Sequence, residues 1–476
     1  MDIITSCKQA FPDIRVPDAA HYYSEHIAVW KDIFENNPPW KSVRRSGLYN
    51  RGNRPLKRLN TAKCLCDEFA ALTFSEQCNI TIDDAQYQQY VLDVLENNSF
   101  WDSMPDLIAS AYAFGGAAVK VYANDRLPVL DYIRTDRFVP TEWMGKRVRG
   151  GIFQSTQCSS DKIYTLCERY AANGQVYNKL FRSDSANDLG TECQLSELDI
   201  KAQPKTDYGA GVPMFGYFKP SISSNVEYEI PLGMSIYANA MDTLAALDVA
   251  FDSFYREFIL GKKRIIVPSA AVQTVTDPDT GQLVRYFDAD DEVFTALSAE
   301  EGDALKVTDN TMELRVDEHV RAINALLNIL CFQTGLSAGA LSFDAVQGLK
   351  TATEVISQDS KTARTIKCNK NMLTEMLEDV IHAIVALGVW LNQLPRRAYT
   401  VTVGWQDNVV IDDNTLIDNN IKLVQAGLKS KVSAIMEVLK CDEDTARQEL
   451  ERIASEQSVS GLSVDDLMGG GEDDQA

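Results

Sequence analysis

The sequence predicts an α+β fold, in which helical segments flank a β-rich region in the first half of the chain. Apolar residues recur at helical spacing on both sides of residues 115–220, where short β-rich runs are bounded by turn residues. The period changes to that of strands after Gly115-Gly116, and Pro231 and Gly233 end the β-rich region. A chain of 476 residues with 45% hydrophobic and 24% charged residues can bury a substantial core.

The first half of the chain divides into helices followed by strands. Helices are expected over residues 58–72 and 84–114, with a second helix starting near Asp102, Ser103 and Pro105. Strands are expected from Gly115 to about Lys219. Within them, AANGQ at 171–175 predicts a β-hairpin with a type I′ turn, because Asn-Gly accepts positive φ values.

The second half is expected to contain three longer helices. The first spans residues 235–260, carries an apolar stripe from Tyr237 to Phe258 and ends at Gly261. A small β module at 265–312, with a hairpin turn at 277–281, separates it from a helix over 315–333. The longest helix covers 351–394, and a strand and shorter helices follow it.

Charge is distributed unevenly along the chain. The net charge of −22 makes a nucleic-acid clamp improbable, since such proteins need basic patches. Residues 405–476 hold 16 acidic and 6 basic residues, whereas Lys41 to Lys63 holds eight Lys/Arg and no acid. This asymmetry suits a subunit that meets like subunits through complementary charge, and a solvated surface remains the alternative.

The sequence lacks the patterns that are typical of secreted disulfide-bonded proteins, metal-binding proteins and membrane-spanning proteins. The ten cysteines have no repeating spacing and no secretory signal precedes them, so free thiols in a reducing compartment are expected. The four histidines are not paired at metal-binding spacing, and no metal site is expected. No apolar run approaches the ~18 residues that a membrane span requires.

The stretch GLSAG at 335–339 matches G-x-S-x-G, the nucleophile elbow of serine hydrolases. An elbow needs a strand before the serine and a histidine of the triad after it. An amphipathic helix precedes Gly335, and the only downstream histidine, His382, lies in a helix. Ser337 is therefore predicted to lie in a flexible joint between two helices, and no catalytic residue is expected.

Nucleotide and cofactor motifs are also lacking. The sequence has no G-x-x-x-x-G-K-[ST] phosphate loop and no G-x-G-x-x-G, so no cofactor is expected. The acidic cluster Asp288, Asp290, Asp291 and Glu292 lacks the glycine of a calcium loop, which favours a solvated turn over a cation site. By elimination, the sequence describes an elongated structural or binding protein.

Several stretches, in consistent order, resemble one known family. They are RLNTAKCLCDEFAALTF (58–74), GGAAVKVY (115–122), LDYIRTDRFVPTEW (130–143), GLKTATEVISQDSKTART (348–365) and IDDNTLIDNNIKLVQAGLKSKVSAI (411–435). Together they resemble the portal proteins of tailed bacteriophages, in particular the long-tailed type that infects Gram-positive bacteria. The resemblance covers most of the chain, and the ordered set is more specific than any one stretch.

The resemblance implies an anatomy for the segments described above. In order along the chain, these parts are a wing (1–230), a stem helix (231–264), a clip (265–312), a second stem helix (313–333), a tunnel loop (334–350), a long wing helix with a strand (351–404), and a crown with an acidic tail (405–476).

The resemblance also implies a function. Twelve copies are expected to form a ring at one vertex of the capsid, through which double-stranded DNA passes during packaging and ejection. Expected partners are other copies of the chain, DNA bound without sequence preference, the terminase, head-completion and connector proteins, and the major capsid and scaffolding proteins, with no membrane. The protein is expected in the virion, and in the host cytoplasm during assembly.

Three sets of residues are candidate functional residues under this resemblance. The tunnel loop contributes Ser337, Ala338, Gly339, Ala340, Leu341, Ser342 and Phe343; the stem contributes channel-facing Asp248, Asp252, Arg256, Lys262, Lys263 and Arg264. On the longest helix, Lys361, Arg364, Lys367 and Lys370 are expected to pair with acids of a neighbouring subunit, to be solvated or to touch DNA.

Two alternative functions stay open from the residues alone. One is a metal-dependent nucleic-acid-processing enzyme that uses the acidic cluster 288–292, and the other is a monomeric structural adaptor.

Overall fold

The computed structural model describes residues 2–46, 51–74, 78–159, 161–198, 202–209, 211–261, 265–266, 273–276, 281, 283–286, 308–309, 313–342, 352–405, 413–439 and 443–459. The chain divides into two compact units, Met1–Trp405 and Gln406–Ala476. Both helices and sheets build the first unit, which confirms the predicted α+β class.

The first unit begins with helices and short strands. In chain order they are α1 (Ile3–Ala10), a π-helical turn (Tyr22–Ile27), α2 (Ala28–Phe34), β1 (Ser42–Ser46), β2 (Arg51–Pro55), α3 (Thr61–Phe74), β3 (Asn79–Ile82), α4 (Ala85–Asn97) and α5 (Phe100–Phe114). Asp84 caps α4, where its carboxylate accepts hydrogen bonds from the amides of Gln86 and Tyr87. The predicted start of the second helix near Asp102 is two residues late, and Pro105 lies inside α5.

Nine strands follow and form two antiparallel sheets. They are β4 (Ala117–Asn124), β5 (Leu127–Arg134), β6 (Phe138–Met144), β7 (Arg147–Ser159), β8 (Lys162–Tyr170), β9 (Gln175–Ser183), β10 (Thr191–Cys193), β11 (Lys205–Asp207) and β12 (Phe215–Phe218). One sheet has the order β12-β4-β5, and the other has the order β10-β9-β8-β7-β6 with β11 also paired to β9.

The hairpin predicted at 171–175 is confirmed, but its predicted turn type is wrong. Strands β8 and β9 pair on either side of it, and the Gly174 amide donates to the Ala171 carbonyl at 3.1 Å. Only Gly174 in this turn has a positive φ, of 83°, which fits a type I turn followed by a left-handed glycine. Positive φ at two successive residues, as type I′ requires, occurs instead at Asp125 and Arg126, between β4 and β5.

The remaining elements of the first unit are three long helices and short strands. They are α6 (Met241–Leu260), β13 (Ile265–Ile266), β14 (Gln273–Thr276), β15 (Leu283–Tyr286), β16 (Thr308–Asp309), α7 (Val316–Thr334), α8 (Ala352–Trp390) and β17 (Val401–Gly404). Strands β14 and β15 pair as the hairpin predicted around 277–281, and α6 ends at Gly261 as predicted.

The core of the first unit surrounds the C-terminal half of α8. Apolar side chains of this half, and Leu391 directly after it, are buried, as their spacing predicts. Those within the helix are Leu373, Met376, Leu377, Val380, Ile384 and Leu387. Strand β12 packs against this helix so closely that a Cβ on Gly216 would lie 2.4 Å from the Met376 carbonyl oxygen. A side chain at this position would therefore separate the helix from the sheet.

The second unit consists of three helices in its described residues. They are α9 (Asp413–Gln425), α10 (Lys431–Leu439) and α11 (Glu443–Val459), in agreement with the predicted succession of short helices.

Candidate channel-facing site

The long helices α6 and α7 form an antiparallel pair. Near the C-terminus of α6, Glu257 accepts hydrogen bonds from the guanidinium of Arg315 at 3.0 and 3.1 Å. Near the other end, Thr243 Oγ1 donates to Gln333 Oε1 at 2.8 Å. The two helices thus run side by side over most of their length.

The contact between Glu257 and Arg315 lies at the exposed end of this pair. The hydrogen bonds from Arg315 lower the pKa of Glu257 to about 2, so the carboxylate stays ionised over the physiological range. His319 adds to the cluster, with its Nε2 lying 3.7 Å from a Glu257 oxygen.

Asp248 and Asp252 of α6 are buried inside the chain, at 7% and 4% exposure, so the prediction that they face a channel is wrong. Asp248 accepts hydrogen bonds from Trp40 Nε1 at 2.8 Å and from the Leu59 amide at 3.0 Å. Asp252 receives two bonds from the Arg54 guanidinium, at 2.7 and 2.5 Å. A polar stripe on α6 therefore serves as the docking face for Trp40, Arg54, Lys57 and Leu59.

The environments of these two aspartates differ. Burial raises the pKa of Asp248, although the bonds from Trp40 and Leu59 act in the opposite direction. The pKa of Asp252 is lowered, chiefly by its hydrogen bond with Arg54. The positive charge of Arg54, one of the basic residues in segment 41–63, is thereby neutralised by Asp252 of the same chain. Arg256, the third predicted stem residue in the described part, is exposed.

The joint between α7 and α8 begins at a left-handed glycine. Gly335 ends α7 with φ of 90°, a conformation that favours glycine. Its carbonyl accepts a hydrogen bond from Thr365 Oγ1 of α8 at 2.8 Å. A Cβ at this position would also lie 3.0 Å from that same hydroxyl. Helix α7 therefore ends at Gly335, the residue that Thr365 of α8 contacts.

Ser337 is fixed to α8 by hydrogen bonds with Thr362, which lies 25 residues later in the chain. Its amide donates to Thr362 Oγ1 at 2.9 Å, and the Thr362 hydroxyl donates to Ser337 Oγ at 3.0 Å. Gly339 is held by the other helix, since its amide donates to Oδ1 of Asn328 in α7 at 2.9 Å. The prediction of a flexible joint at Ser337 is therefore wrong, because this residue is buried and bonded on both its amide and its hydroxyl.

The two residues that a hydrolase triad would need, Ser337 and His382, each have another partner. Ser337 Oγ contacts Thr362, and His382 contacts Tyr399, with 2.8 Å between its Nδ1 and the tyrosine hydroxyl oxygen. Burial lowers the pKa of His382, although Asp379 and Glu378 act to raise it. The G-x-S-x-G match is thus part of a helix-ending turn.

The cations on the first half of α8 have partners that the sequence did not indicate. Lys361 Nζ donates to the Phe332 carbonyl at 2.9 Å and lies 4.7 Å from the centre of the Phe332 ring. Lys370 Nζ lies 5.5 Å from the centre of the Trp405 ring. Arg364 and Lys367 are exposed. Two of the four predicted contact residues therefore lie against aromatic rings of their own chain.

Comparison with known families identifies the chain. Residues 15–460 match the family model described as phage portal protein, SPP1 Gp6-like. The chain belongs to this family. It is accordingly a structural protein of the phage particle with a portal channel role, as the ordered sequence stretches indicated.

Solved structures show a distant likeness to this portal protein. A chain from the virion of a native gene transfer agent particle is 12% identical, with 91% of this chain and 98% of that chain covered and a TM-score of 0.44. A chain from the neck of an empty gene transfer agent particle is 14% identical, with 78% and 89% covered and a TM-score of 0.38. No curated protein sequence matches the chain.

The described part of the predicted tunnel loop in this portal protein ends at Ser342. Ala338, Ala340 and Ser342 are exposed, whereas Leu341 is half-buried and packs against the core. Phe343 lies outside the described residues, as do Lys262, Lys263 and Arg264 of the stem. For these exposed loop residues, a location in the channel remains a prediction.

Membrane-spanning helices and metal-binding clusters are both lacking among the described residues. Within them, no helix is both long and apolar enough to cross a membrane. In the same part of the chain, no three His, Cys, Asp or Glu side chains are grouped to hold a metal ion. The acidic cluster 288–292 lies outside the described residues.

The residues that hold the site together carry little signal in the sequence. Thr362 and Thr365 fix the joint, and Trp40 and Arg54 dock on α6. Thr362 and Thr365 lie one turn apart in the first half of α8, which is poor in large apolar residues, and this spacing is the one signal that could have suggested a polar contact with the joint. Arg54 gave no such signal, because its partner lies 198 residues away.

Proposed function

We propose that this portal protein assembles as a closed ring of twelve copies at one vertex of the capsid, with double-stranded DNA passing through the channel during packaging and ejection. The family match over residues 15–460 carries this proposal. In a cyclic assembly each subunit uses two different surfaces, and a modest contact per copy is repeated around the axis.

Exposed apolar residues on the helix pair support assembly. Six such side chains are Val249, Phe258, Ile259 and Leu260 of α6, and Ile329 and Phe332 of α7. Phe332 is 77% exposed, which is unusual for a phenylalanine on an ordered helix. Neighbouring copies in a ring would cover these side chains and remove them from water.

The charge of the chain supports passage of DNA without tight binding. A net charge of −22 per copy disfavours retention of a polyanion, since each cationic contact with phosphate would hold the duplex in place. The exposed residues of the joint, Ala338, Ala340 and Ser342, are small and uncharged. We therefore expect contacts with DNA to be few and independent of base sequence.

Partner proteins follow from this role. The sequence has no phosphate-loop motif, so the energy for packaging comes from a separate ATPase, the terminase. The clip (265–312) docks head-completion and connector proteins, and the crown (405–476) faces the capsid interior. Capsid and scaffolding proteins contact the ring as it is built in the host cytoplasm, for a phage of the long-tailed type that infects Gram-positive bacteria. The chain itself acts as a conduit and not as a catalyst.

The mass of the purified protein and its images test this proposal. A ring of twelve chains of 53.0 kDa has a mass of about 0.6 MDa and should appear in electron micrographs as a toothed ring with a central hole. A stable monomer that nicks DNA only with magnesium would favour the nuclease alternative. A stable monomer without such activity would favour the adaptor, and either monomer would reject the conduit.

A further inference from the structure

A cleft of about 440 Å³ in the β-rich part of the first unit has no role in the function proposed above. Both antiparallel sheets and the end of α8 contribute to its lining. Its walls include Lys120 and Tyr122 of β4, Glu168 and Tyr170 of β8, Asn178 of β9, and Trp390 of α8. Charged, polar and aromatic side chains thus line one open cleft.

The charged floor of this cleft carries a net negative charge. Lys120 is buried, and its Nζ pairs with Glu168 and, at 3.1 Å, with Asp131. Burial alone would lower the pKa of Lys120, but the two carboxylates outweigh this effect and raise it. One ammonium therefore faces two carboxylates, and the cluster can accept one further positive charge.

Asn178 adds an unused acceptor to the cleft. Its side chain is 6% exposed, and its Nδ2 donates to the Gln203 carbonyl at 2.8 Å. Its Oδ1 is buried without a hydrogen-bond partner among the described residues. Since a buried acceptor is costly when unpaired, this oxygen favours a ligand that brings an N–H or O–H donor.

Aromatic side chains form much of the remaining wall. Tyr122, Tyr164, Tyr170, Tyr208 and Trp390 all line the cleft. Trp390 is 43% exposed, and its ring centre lies 5.2 Å from that of Tyr208, so this wall is reachable from outside the protein. Flat aromatic faces attract cations, and a planar cation can also stack on them.

We propose that this cleft is a binding site for a guanidinium group, because it combines a net negative floor, an unpaired buried acceptor and aromatic walls. A guanidinium is planar, always charged and rich in N–H donors, so one group satisfies all three features. A phosphate or carboxylate ligand would be repelled by the excess negative charge of the cleft. A primary ammonium would be attracted but could not stack.

Two sources could supply this group: a small free molecule, or an arginine side chain of a protein. Agmatine, which carries a guanidinium at one end of a four-carbon chain and an ammonium at the other, is a suitable first probe when it is compared with a diamine of the same charge and chain length. Titration of agmatine into the full-length protein, followed by isothermal calorimetry, should give saturable binding at one site per chain. The absence of saturable heat would overturn the proposal.

Two variants locate the binding. Trp390→Leu should weaken agmatine binding about tenfold, because it removes a stacking face from an already exposed position. Trp143→Leu is the matched control, since Trp143 is similarly exposed, at 38%, but does not line the cleft. Asn178→Leu removes the Oδ1 acceptor at a similar side-chain volume, so it should weaken binding. Unchanged affinity in both Trp390→Leu and Asn178→Leu would overturn the assignment to this cleft.

Two further ligands test whether the site requires a guanidinium, and whether that group comes from a protein side chain or from a small molecule. Putrescine has the same chain and the same two charges as agmatine, but a second ammonium replaces the planar group. It should therefore bind more weakly than agmatine, and equal binding would reject a guanidinium site. Arginine blocked at both ends as amides carries the guanidinium as its only charge, and saturable binding that Trp390→Leu weakens would indicate a protein side chain as the source. Binding of agmatine without binding of the blocked arginine would indicate a small free molecule.

Discussion

At the scale of single residues, the joint between α7 and α8 is set by hydroxyl groups that bind backbone. Thr362→Val removes the acceptor of the Ser337 amide while keeping the side-chain size. One neutral hydrogen bond contributes about 1 kcal/mol, so the Ser337 amide should exchange with solvent roughly three- to tenfold faster. Hydrogen-exchange mass spectrometry of a peptide covering residues 335–342 measures this change.

A second threonine of α8 provides the control. Thr374→Val removes a hydroxyl that accepts a hydrogen bond from Trp405 Nε1 at 2.8 Å, away from the joint. Exchange over residues 335–342 should then match the wild type. Equal exchange in the two variants and the wild type would mean that Thr362 does not hold the joint.

His382 gives the protein a pH-dependent contribution to stability. Burial lowers its pKa below the ordinary value of 6.5, with Asp379 and Glu378 opposing and Arg147 and Arg149 reinforcing this effect. Because the folded pKa is lowered, the unfolded chain binds a proton first as the pH falls. The contribution is therefore complete above pH 6.5 and is lost as the pH falls through the lowered value.

The variant His382→Gln isolates this contribution while it retains a polar partner for Tyr399. Between about pH 7 and about pH 5, the unfolding temperature of the wild type should fall more steeply than that of the variant. Parallel curves would show that His382 titrates in the folded protein as it does in the unfolded chain.

At the scale of elements, two arginine–carboxylate pairs on α6 differ in burial. The carboxylates Asp252 and Glu257 are 6% and 18% exposed, and their partners Arg54 and Arg315 are 21% and 68% exposed. Arg54→Gln should lower the free energy of unfolding by about 2–4 kcal/mol, because it leaves a buried carboxylate without its cation. Arg315→Gln should cost less than about 1 kcal/mol, as expected for a solvent-screened pair.

Urea unfolding of both variants measures this difference, and limited proteolysis shows its location. In Arg54→Gln, cleavage near the hairpin of β1 and β2 should become faster, because that hairpin loses its contact with α6. Equal costs for the two variants would contradict the view that burial decides the strength of these pairs.

The sequence could predict those elements whose determinants are local. Helical spacing located α6, α7 and α8, and turn residues located the hairpins β8–β9 and β14–β15. Strand β3 was missed, because it is a four-residue strand whose partner β17 lies more than 300 residues later. Local signals of that length are weak without knowledge of the partner.

The candidate site was less predictable, because its contacts join distant segments. The family resemblance implied that the polar stripe on α6 faces the channel, and this was wrong for Asp248 and Asp252, which are buried. Their donors lie in residues 40–59, about 190–210 residues earlier in the chain. A stripe of carboxylates has the same appearance in a sequence whether water or an arginine faces it.

At the scale of the whole molecule, the ring multiplies every exposed charge. A substitution in one chain places the same side chain in every copy around the axis, so that a small effect per subunit becomes a collar of charge. The exposed residue Ala340 lies next to the fixed part of the joint, and its side chain contributes no charge. It is therefore the position where the sign of a new charge should matter most.

Ala340→Lys should slow DNA passage, whereas Ala340→Glu should leave it close to the wild type. Each added lysine can contact phosphate and release counterions, so a ring of lysines would hold the duplex, while added carboxylates would only repel it. The measurement is the fraction of assembled particles that protect DNA from nuclease, which should fall severalfold for the lysine variant alone.

Leu127→Lys is the control, since Leu127 is 67% exposed beside the turn between β4 and β5. Added salt should partly restore packaging in Ala340→Lys, because it screens the contacts with phosphate. Normal packaging by Ala340→Lys rings of normal mass would place this segment away from the DNA.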